Sequence, residues 1–151
     1  AAGMHRFVWD LREPDPQTDS QDLPISAIPH DTPRVPQGPL VLPGRYTVRL
    51  DADGHTMERN LAVAMDPRVS ISSSALEQQY LLSAQLASLM DRSFADAAKA
   101  GEKARTPFDA LNGAAASLLD TIDGADAPPT AQAVAAVAAL SARLAELEAK
   151  R

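Results

Sequence analysis

The sequence has no cysteine and no long apolar run. Without cysteine, disulfide bonds and cysteine-ligated zinc sites are both excluded. Since no stretch approaches the roughly 18 consecutive apolar residues of a transmembrane helix, we predict no membrane span. The apolar fraction is 45%, close to that of ordinary globular proteins, which argues against global disorder. Much of this fraction is alanine in the second half of the chain, which favours helix but buries little area.

The chain also lacks an excess of basic residues. Its net charge is −6, and residues 1–71 and residues 72–151 each carry 7 basic and 10 acidic side chains. Binding to nucleic acid depends largely on neutralising phosphates with Lys and Arg. Because neither half offers a basic patch, we predict that the protein binds neither nucleic acid nor an anionic membrane surface.

The first half is patterned for β-structure. Residues 6–12 alternate, with Phe7, Trp9 and Leu11 on one side, which predicts a half-buried strand. Residues 13–43 contain eight of the twelve prolines, so we expect a long extended loop there. Within this loop, short edge strands are predicted near residues 25–28 and 40–42.

A hairpin is predicted next. Tyr46, Val48 and Leu50 alternate with polar residues, and Asp53-Gly54 is a strong signal for a tight turn. The return strand carries a matching alternation, which Asp66-Pro67 ends; its apolar positions are Leu61, Val63 and Met65. Three clear strands and two weaker ones are few for a complete β-sandwich.

The second half is patterned for three helices, at about residues 74–99, 107–123 and 130–150. We expect the first to begin at a capping box formed by Ser74 and Glu77. The second follows Thr106-Pro107, and the third follows Pro128-Pro129-Thr130. Their apolar residues recur at steps of three and four: Leu76, Tyr80, Ala84, Ala87, Met90 and Phe94, widened by Leu82, Leu86 and Leu89; Phe108, Leu111, Ala115, Leu118 and Ile122; Ala133, Val137, Leu140, Leu144 and Leu147.

We predict no catalytic, cofactor or metal site. The sequence has no phosphate loop, no dinucleotide fingerprint and no nucleophile elbow. The three histidines stand far apart, at His5, His30 and His55, and a zinc site would require all three to converge. The carboxylates at strand and turn positions, Asp10, Asp51, Asp53 and Asp66, fit ordinary turn chemistry. One candidate ligand-binding residue remains, Trp9, which would stack on a sugar if exposed; its phase with Phe7 and Leu11 favours packing instead.

Two stretches of the first half resemble a known family. They are G-M-H-R-F-V-W-D-L-R at residues 3–12 and L-P-G-R-Y-T-V-R-L at residues 42–50, followed by D-P-R at residues 66–68. They resemble the region after the β-propeller in large bacterial BNR-repeat or sortilin-like glycosyl hydrolases, and the order is similar to that in the immunoglobulin-like module of the flagellar hook-capping protein. The resemblance covers residues 3–68. It carries over no catalytic residue, because glycosidase chemistry in such proteins would belong to the propeller.

This resemblance implies an immunoglobulin-like sandwich whose first strands precede the G-x-x-R-F segment. The chain opens at Ala1-Ala2-Gly3, so we expect a piece of a longer protein, with its targeting signal and propeller upstream. The predicted fold class is therefore α+β: a partial immunoglobulin-like antiparallel β-sandwich at residues 1–71, followed by a three-helix antiparallel bundle at residues 72–151.

The predicted function is that of a non-catalytic C-terminal accessory module in an exported, periplasmic or extracellular, glycosyl-hydrolase-like β-propeller protein. Its expected partner is the rest of the parent chain. Two alternatives stay open: a carbohydrate-binding module using Trp9, and a protein–protein association module. A sandwich without its first strand leaves backbone groups unpaired, and for that reason we also predict a homodimer.

Overall fold

The fold is α+β, with a β-hairpin followed by three helices. The computed structural model describes residues 3–19, 23, 32 and 34–150, apart from the side chain of Lys103. The elements follow one another as β1 (Gly44–Ala52), β2 (His55–Val63), α1 (Ser73–Lys99), α2 (Glu102–Asp123) and α3 (Ala131–Ala149). The two strands form one antiparallel sheet, and the predicted turn at Asp53-Gly54 is confirmed. Both turn residues have positive φ, which suits this tight connection.

The hydrophobic core lies entirely within the helical part of the described chain. Its buried apolar side chains are Leu82, Leu86, Leu89, Met90, Ala97, Phe108, Leu111, Ala115, Leu119, Ile122, Val137 and Leu144. Neither strand brings a Cα atom within 8 Å of a helix Cα atom. The hairpin therefore projects from the helices instead of packing on them.

Hydrogen bonds between the helices establish their directions. Gln79, near the start of α1, donates to the carbonyl of Ile122 near the end of α2, so these two helices run in opposite directions. Gln85 of α1 bonds to Ser141, and Arg92, two turns further along, bonds to Glu148. Because both positions advance together, α1 and α3 run in the same direction.

The predicted strand at residues 6–12 is absent apart from a single bridge between Arg12 and Leu40. Local hydrogen bonds occupy this segment: Asp10 Oδ1 accepts from the backbone N–H of Arg12 at 3.2 Å, and Trp9 Nε1 donates to the Arg12 carbonyl at 2.9 Å. Leu11 also has a φ of 64°, which breaks the extended backbone. Side-chain bonds of this kind compete with a ladder, and the described residues offer this segment no strand to pair with.

Only one of the two edge strands predicted in the Pro-rich loop lies within the described residues. The edge strand expected near residues 25–28 lies outside the described residues. The one expected at residues 40–42 is reduced to the same bridge, flanked by bonds from Glu13 N to the Pro39 carbonyl and from Val41 N to the Leu11 carbonyl. β2 ends at Val63, so Met65 lies beyond the strand.

The first two helix starts differ from those predicted. The cap of α1 is Ser72, whose hydroxyl accepts from Ala75 N at 3.2 Å; the capping box at Ser74 and Glu77 is wrong, because an earlier member of the serine run takes that role. α2 begins at Glu102, before the predicted Thr106-Pro107 start, so Pro107 lies inside the helix. An acidic residue in the first turn and the Arg105–Asp109 ion pair, four residues apart, favour this longer helix.

The third helix and the buried faces follow the sequence more closely. Thr130 caps α3 by accepting from Ala133 N at 3.1 Å, as the Pro-Pro-Thr sequence suggests. On α1, however, the buried stripe runs through Leu82, Leu86, Leu89 and Met90, whereas Leu76, Tyr80 and Phe94 of the predicted stripe are only partly buried. Buried polar residues such as Gln79 and Ser93 interrupt that stripe, and their hydrogen bonds allow them to be there.

Leu86 is completely buried at the centre of the core, so we expect Leu86→Ala to lower the free energy of unfolding by about 2–5 kcal/mol. The matched control is Leu81→Ala in the same helix, because Leu81 is 58% exposed and its loss should cost under about 0.5 kcal/mol. Urea denaturation followed by circular dichroism measures both. Equal losses of unfolding free energy in the two variants would contradict the burial of Leu86 in a helical core.

Candidate interaction surface

The hairpin is amphipathic, and its apolar side is open to solvent. The register pairs Tyr46 with Leu61, Val48 with Arg59 and Leu50 with Met57, and directly paired residues point to the same side of a sheet. We call the side that carries these six residues the apolar face. Val48, Leu50 and Met57 are 50–54% exposed. In an ordinary antiparallel sheet such a face is packed against a core, whereas here the helices lie elsewhere.

The opposite side, the polar face, carries most of the hairpin's charges. Arg45, Thr47, Arg49 and Asp51 of β1 lie opposite Ala62, Asn60, Glu58 and Thr56 of β2. Arg49 forms an ion pair with Asp51 at 3.0 Å, and Thr56 also donates to Asp51. The alternation therefore separates a solvated side from an apolar side, and it leaves the apolar one uncovered.

Arg59 is the one formally charged strand residue on the apolar face; all of residues 44–63 are described. It belongs to the fifth of the nine cross-strand pairs, so it lies at the middle of the face. Its guanidinium donates to the neighbouring Glu58 backbone carbonyl at 2.8 Å. Among the described residues, no carboxylate forms an ion pair with it.

Trp9, the candidate ligand-binding residue, contacts the apolar face at Tyr46. Its ring meets Tyr46 edge-on, with the ring centroids 5.5 Å apart. The indole is half-buried, and its N–H is engaged by the Arg12 carbonyl. Phe7, two residues earlier, is 88% exposed, so the expected burial of Phe7 is wrong. Trp9 therefore packs against the hairpin without a core behind it.

An ion pair fastens the base of the hairpin to the helices. Arg12 donates to Asp123, the last residue of α2, at 2.5 Å, and also to the Gly38 carbonyl at 2.7 Å. The other Asp123 oxygen accepts from Leu40 N at 3.2 Å. Both side chains of the ion pair are mostly buried, so this contact orders the segment before β1 against the end of α2.

The Pro-rich loop is fastened at further points along the helices. Gln17 N donates to Asp91 at 2.8 Å, and the Gln17 carbonyl accepts from the buried Asn112 at 3.0 Å. Asn112 also donates to the Met90 carbonyl and to Ser93. The described part of the loop therefore lies along α1 and α2, and it shares their buried polar groups.

A cavity of about 180 Å³ lies where the hairpin, the loop and the helices meet. Its apolar lining includes Leu40, Leu42, Val63, Met65 and Leu76. Tyr80 also lines it and donates to Glu13 at 3.2 Å. Burial raises the pKa of Tyr80, and the charge and hydrogen bond of Glu13 add to this effect.

The remaining candidate groups are the histidines and the carboxylates at strand and turn positions. In the described part of the chain, no group of three or more His, Asp or Glu side chains is placed to hold a metal. His55 is exposed at the hairpin turn, and His30 lies outside the described residues. Asp66 is held by Arg68, whose hydrogen bonds lower the pKa of the Asp66 carboxyl. Asp10 and Asp51 also accept hydrogen bonds from residues nearby in the sequence.

Sequence reasoning missed Arg12, Asp123 and Arg59. The first two are separated by 111 positions, and nothing local marks them as partners. Arg59 carried a usable signal, since it breaks the apolar alternation of β2 between Met57 and Leu61.

Comparison of the chain with protein-family models, curated proteins and solved structures gave no match. None of the helices in the described residues is long and apolar enough to cross a bilayer.

The Arg12–Asp123 ion pair should show coupling in a double-mutant cycle. We expect Arg12→Ala and Asp123→Ala each to lower the free energy of unfolding by about 1–3 kcal/mol, with a coupling energy of about 1 kcal/mol or more. The control cycle uses the exposed Arg143–Glu146 pair of α3, which should couple by under about 0.5 kcal/mol. Similar coupling in both cycles would contradict the anchoring role.

The raised pKa of Tyr80 predicts a loss of stability at alkaline pH. A phenol whose pKa is higher in the folded state stabilises the fold below its unfolded value of 10.0, and this contribution is lost as the pH rises through the folded value. We expect Tyr80→Phe to reduce the alkaline fall in stability, and Glu13→Gln to lower the pKa of Tyr80 in an absorbance titration. Unchanged titration in Glu13→Gln would contradict this contact.

Proposed function

We propose that this chain is a non-catalytic accessory module that binds a neighbouring protein domain through the apolar face of its hairpin. The observation that carries the proposal is an amphipathic hairpin whose apolar side chains are about half exposed while the helices bury a core of their own. Contiguous exposed apolar surface on a folded domain is typical of a site of protein interaction.

The neighbouring domain would cover the apolar face of the hairpin. A two-stranded hairpin is marginally stable by itself and gains stability when its apolar face is covered. The resemblance of residues 3–68 to the region after bacterial β-propellers supports an immunoglobulin-like sandwich, with the remaining strands supplied outside the hairpin. On this proposal the neighbour belongs to the same exported, glycosyl-hydrolase-like parent protein.

The helical part supports the hairpin in this role. The Arg12–Asp123 ion pair and the contacts of Gln17 hold the segment before β1 against α1 and α2. The bundle is thus a folded base that presents the hairpin. This arrangement suits a module that positions one domain relative to another.

Association is better supported than carbohydrate binding. A sugar-binding Trp presents its ring face and often its N–H to the ligand. In this chain the Trp9 N–H is engaged by the Arg12 carbonyl, and the ring contacts Tyr46. The candidate carboxylates are also engaged locally, which favours a structural role over hydrolysis.

The test is binding of the isolated chain to the adjacent domain of its parent protein, supplied as a separate polypeptide. We expect Leu50→Ser with Met57→Ser to weaken binding at least about tenfold, because each removes a large apolar contact. The matched control is Arg49→Ser with Glu58→Ser, the adjacent cross-strand pair on the polar face. Calorimetry measures affinity, and circular dichroism checks the fold.

Two results would contradict the proposal. One is binding that is lost equally in the polar-face variant, because the apolar face would then have no special part. The other is hydrolysis of aryl glycosides by the isolated chain that is abolished by a point substitution within it.

A further inference from the structure

We propose that the partner of the apolar face is an apolar β-sheet surface of another domain that carries a carboxylate opposite Arg59. This inference rests on the proposed function, and it adds the chemistry by which a partner is selected. Its basis is the placement of one cation at the middle of an otherwise apolar face.

The charge distribution on the hairpin points to this partner. Covering the apolar face removes Arg59 from water, and a buried charge is costly unless an opposite charge pairs with it. Arg49, on the polar face, has such a partner in Asp51. Arg59 has none among the described residues, and the other side chains of its face cannot supply a carboxylate. On this proposal the covering surface supplies that charge.

A second copy of the chain fits the same face poorly. Arg59 lies in the central cross-strand pair, so twofold packing of two apolar faces would bring two guanidinium groups together. A homodimer formed through strand edges or helices stays a separate prediction.

The Arg59→Glu variant of the chain is a matched probe. It presents the same hairpin with a carboxylate at the middle of the apolar face. We expect wild-type chain to bind Arg59→Glu chain at least about tenfold more tightly than either binds itself, measured by NMR titration at low salt. Net charge cannot explain a preference over the wild-type pair, because the variant carries −8 against −6 for wild type (+1 replaced by −1), so overall repulsion is greater in the mixed pair than in the wild-type pair.

Arg45→Glu is the control, since it makes the same change of charge on the polar face, opposite Ala62. Wild-type chain should bind it no more tightly than it binds itself. In both variants, circular dichroism and thermal melting should match wild type, because Arg45 and Arg59 are exposed and neither forms an ion pair with a described residue.

Each other result overturns the inference. If wild-type chain pairs with itself through the apolar face as tightly as with Arg59→Glu, the face does not select a carboxylate, although an association role survives. If no pair associates at millimolar concentration, or if Arg45→Glu performs as well as Arg59→Glu, the central cation does not direct recognition. The proposed function is tested independently, because the Leu50 and Met57 substitutions leave Arg59 in place.

Discussion

Burial of apolar surface is confined to the three helices, and the rest of the structure depends on this constraint. The core side chains all come from α1, α2 and α3, while both sides of the hairpin are exposed. Apolar burial is the main favourable term in folding. We therefore expect the three-helix bundle to fold without help from the hairpin. The hairpin keeps its strand pairing, but no layer of described residues covers its apolar face.

Polar contacts join these two unequal parts. Arg12 links the segment before β1 to Asp123 at the end of α2, and Asn112 links the Pro-rich loop to the interior of the bundle. Such bonds are directional, so they set where the hairpin emerges more than they add to stability. The position of the apolar face is therefore fixed by a few named side chains, and most of the face is exposed because the helix backbones lie away from it.

Features governed by local chemistry were predictable from the sequence. The Asp53-Gly54 turn, the alternation of the hairpin and the three helical segments are all encoded within a few residues of one another. Features that depend on distant partners were not. The alternation at residues 6–12 is the pattern of a strand, yet a strand needs a neighbour, and local bonds to Asp10 and Trp9 prevail. The sequence predicts that α2 starts at Thr106-Pro107, because proline is common at the first position of a helix. The charges of Glu102 and of the Arg105–Asp109 pair favour an earlier first turn, and the helix begins at Glu102.

Only part of the candidate surface could be predicted from the sequence, for the same reason. Its apolar positions could be read from the alternation, but the same pattern implies a buried face, and only the three-dimensional arrangement leaves it open. The place of Arg59 depends on the strand register. Opposite Val48, it lies at the middle of the apolar face. A shift of the register by one residue would place it among the polar side chains.

Native-state hydrogen exchange tests the central claim most directly. In the isolated chain, we expect amides of α1 and α2 near Leu86 and Leu119 to exchange only through global unfolding, and amides of β1 and β2 to exchange far faster through local opening. Adding the covering domain that we propose should slow exchange selectively in the hairpin. Hairpin amides as protected as those of the helices in the isolated chain would contradict the account, because they would show that the hairpin needs no covering partner.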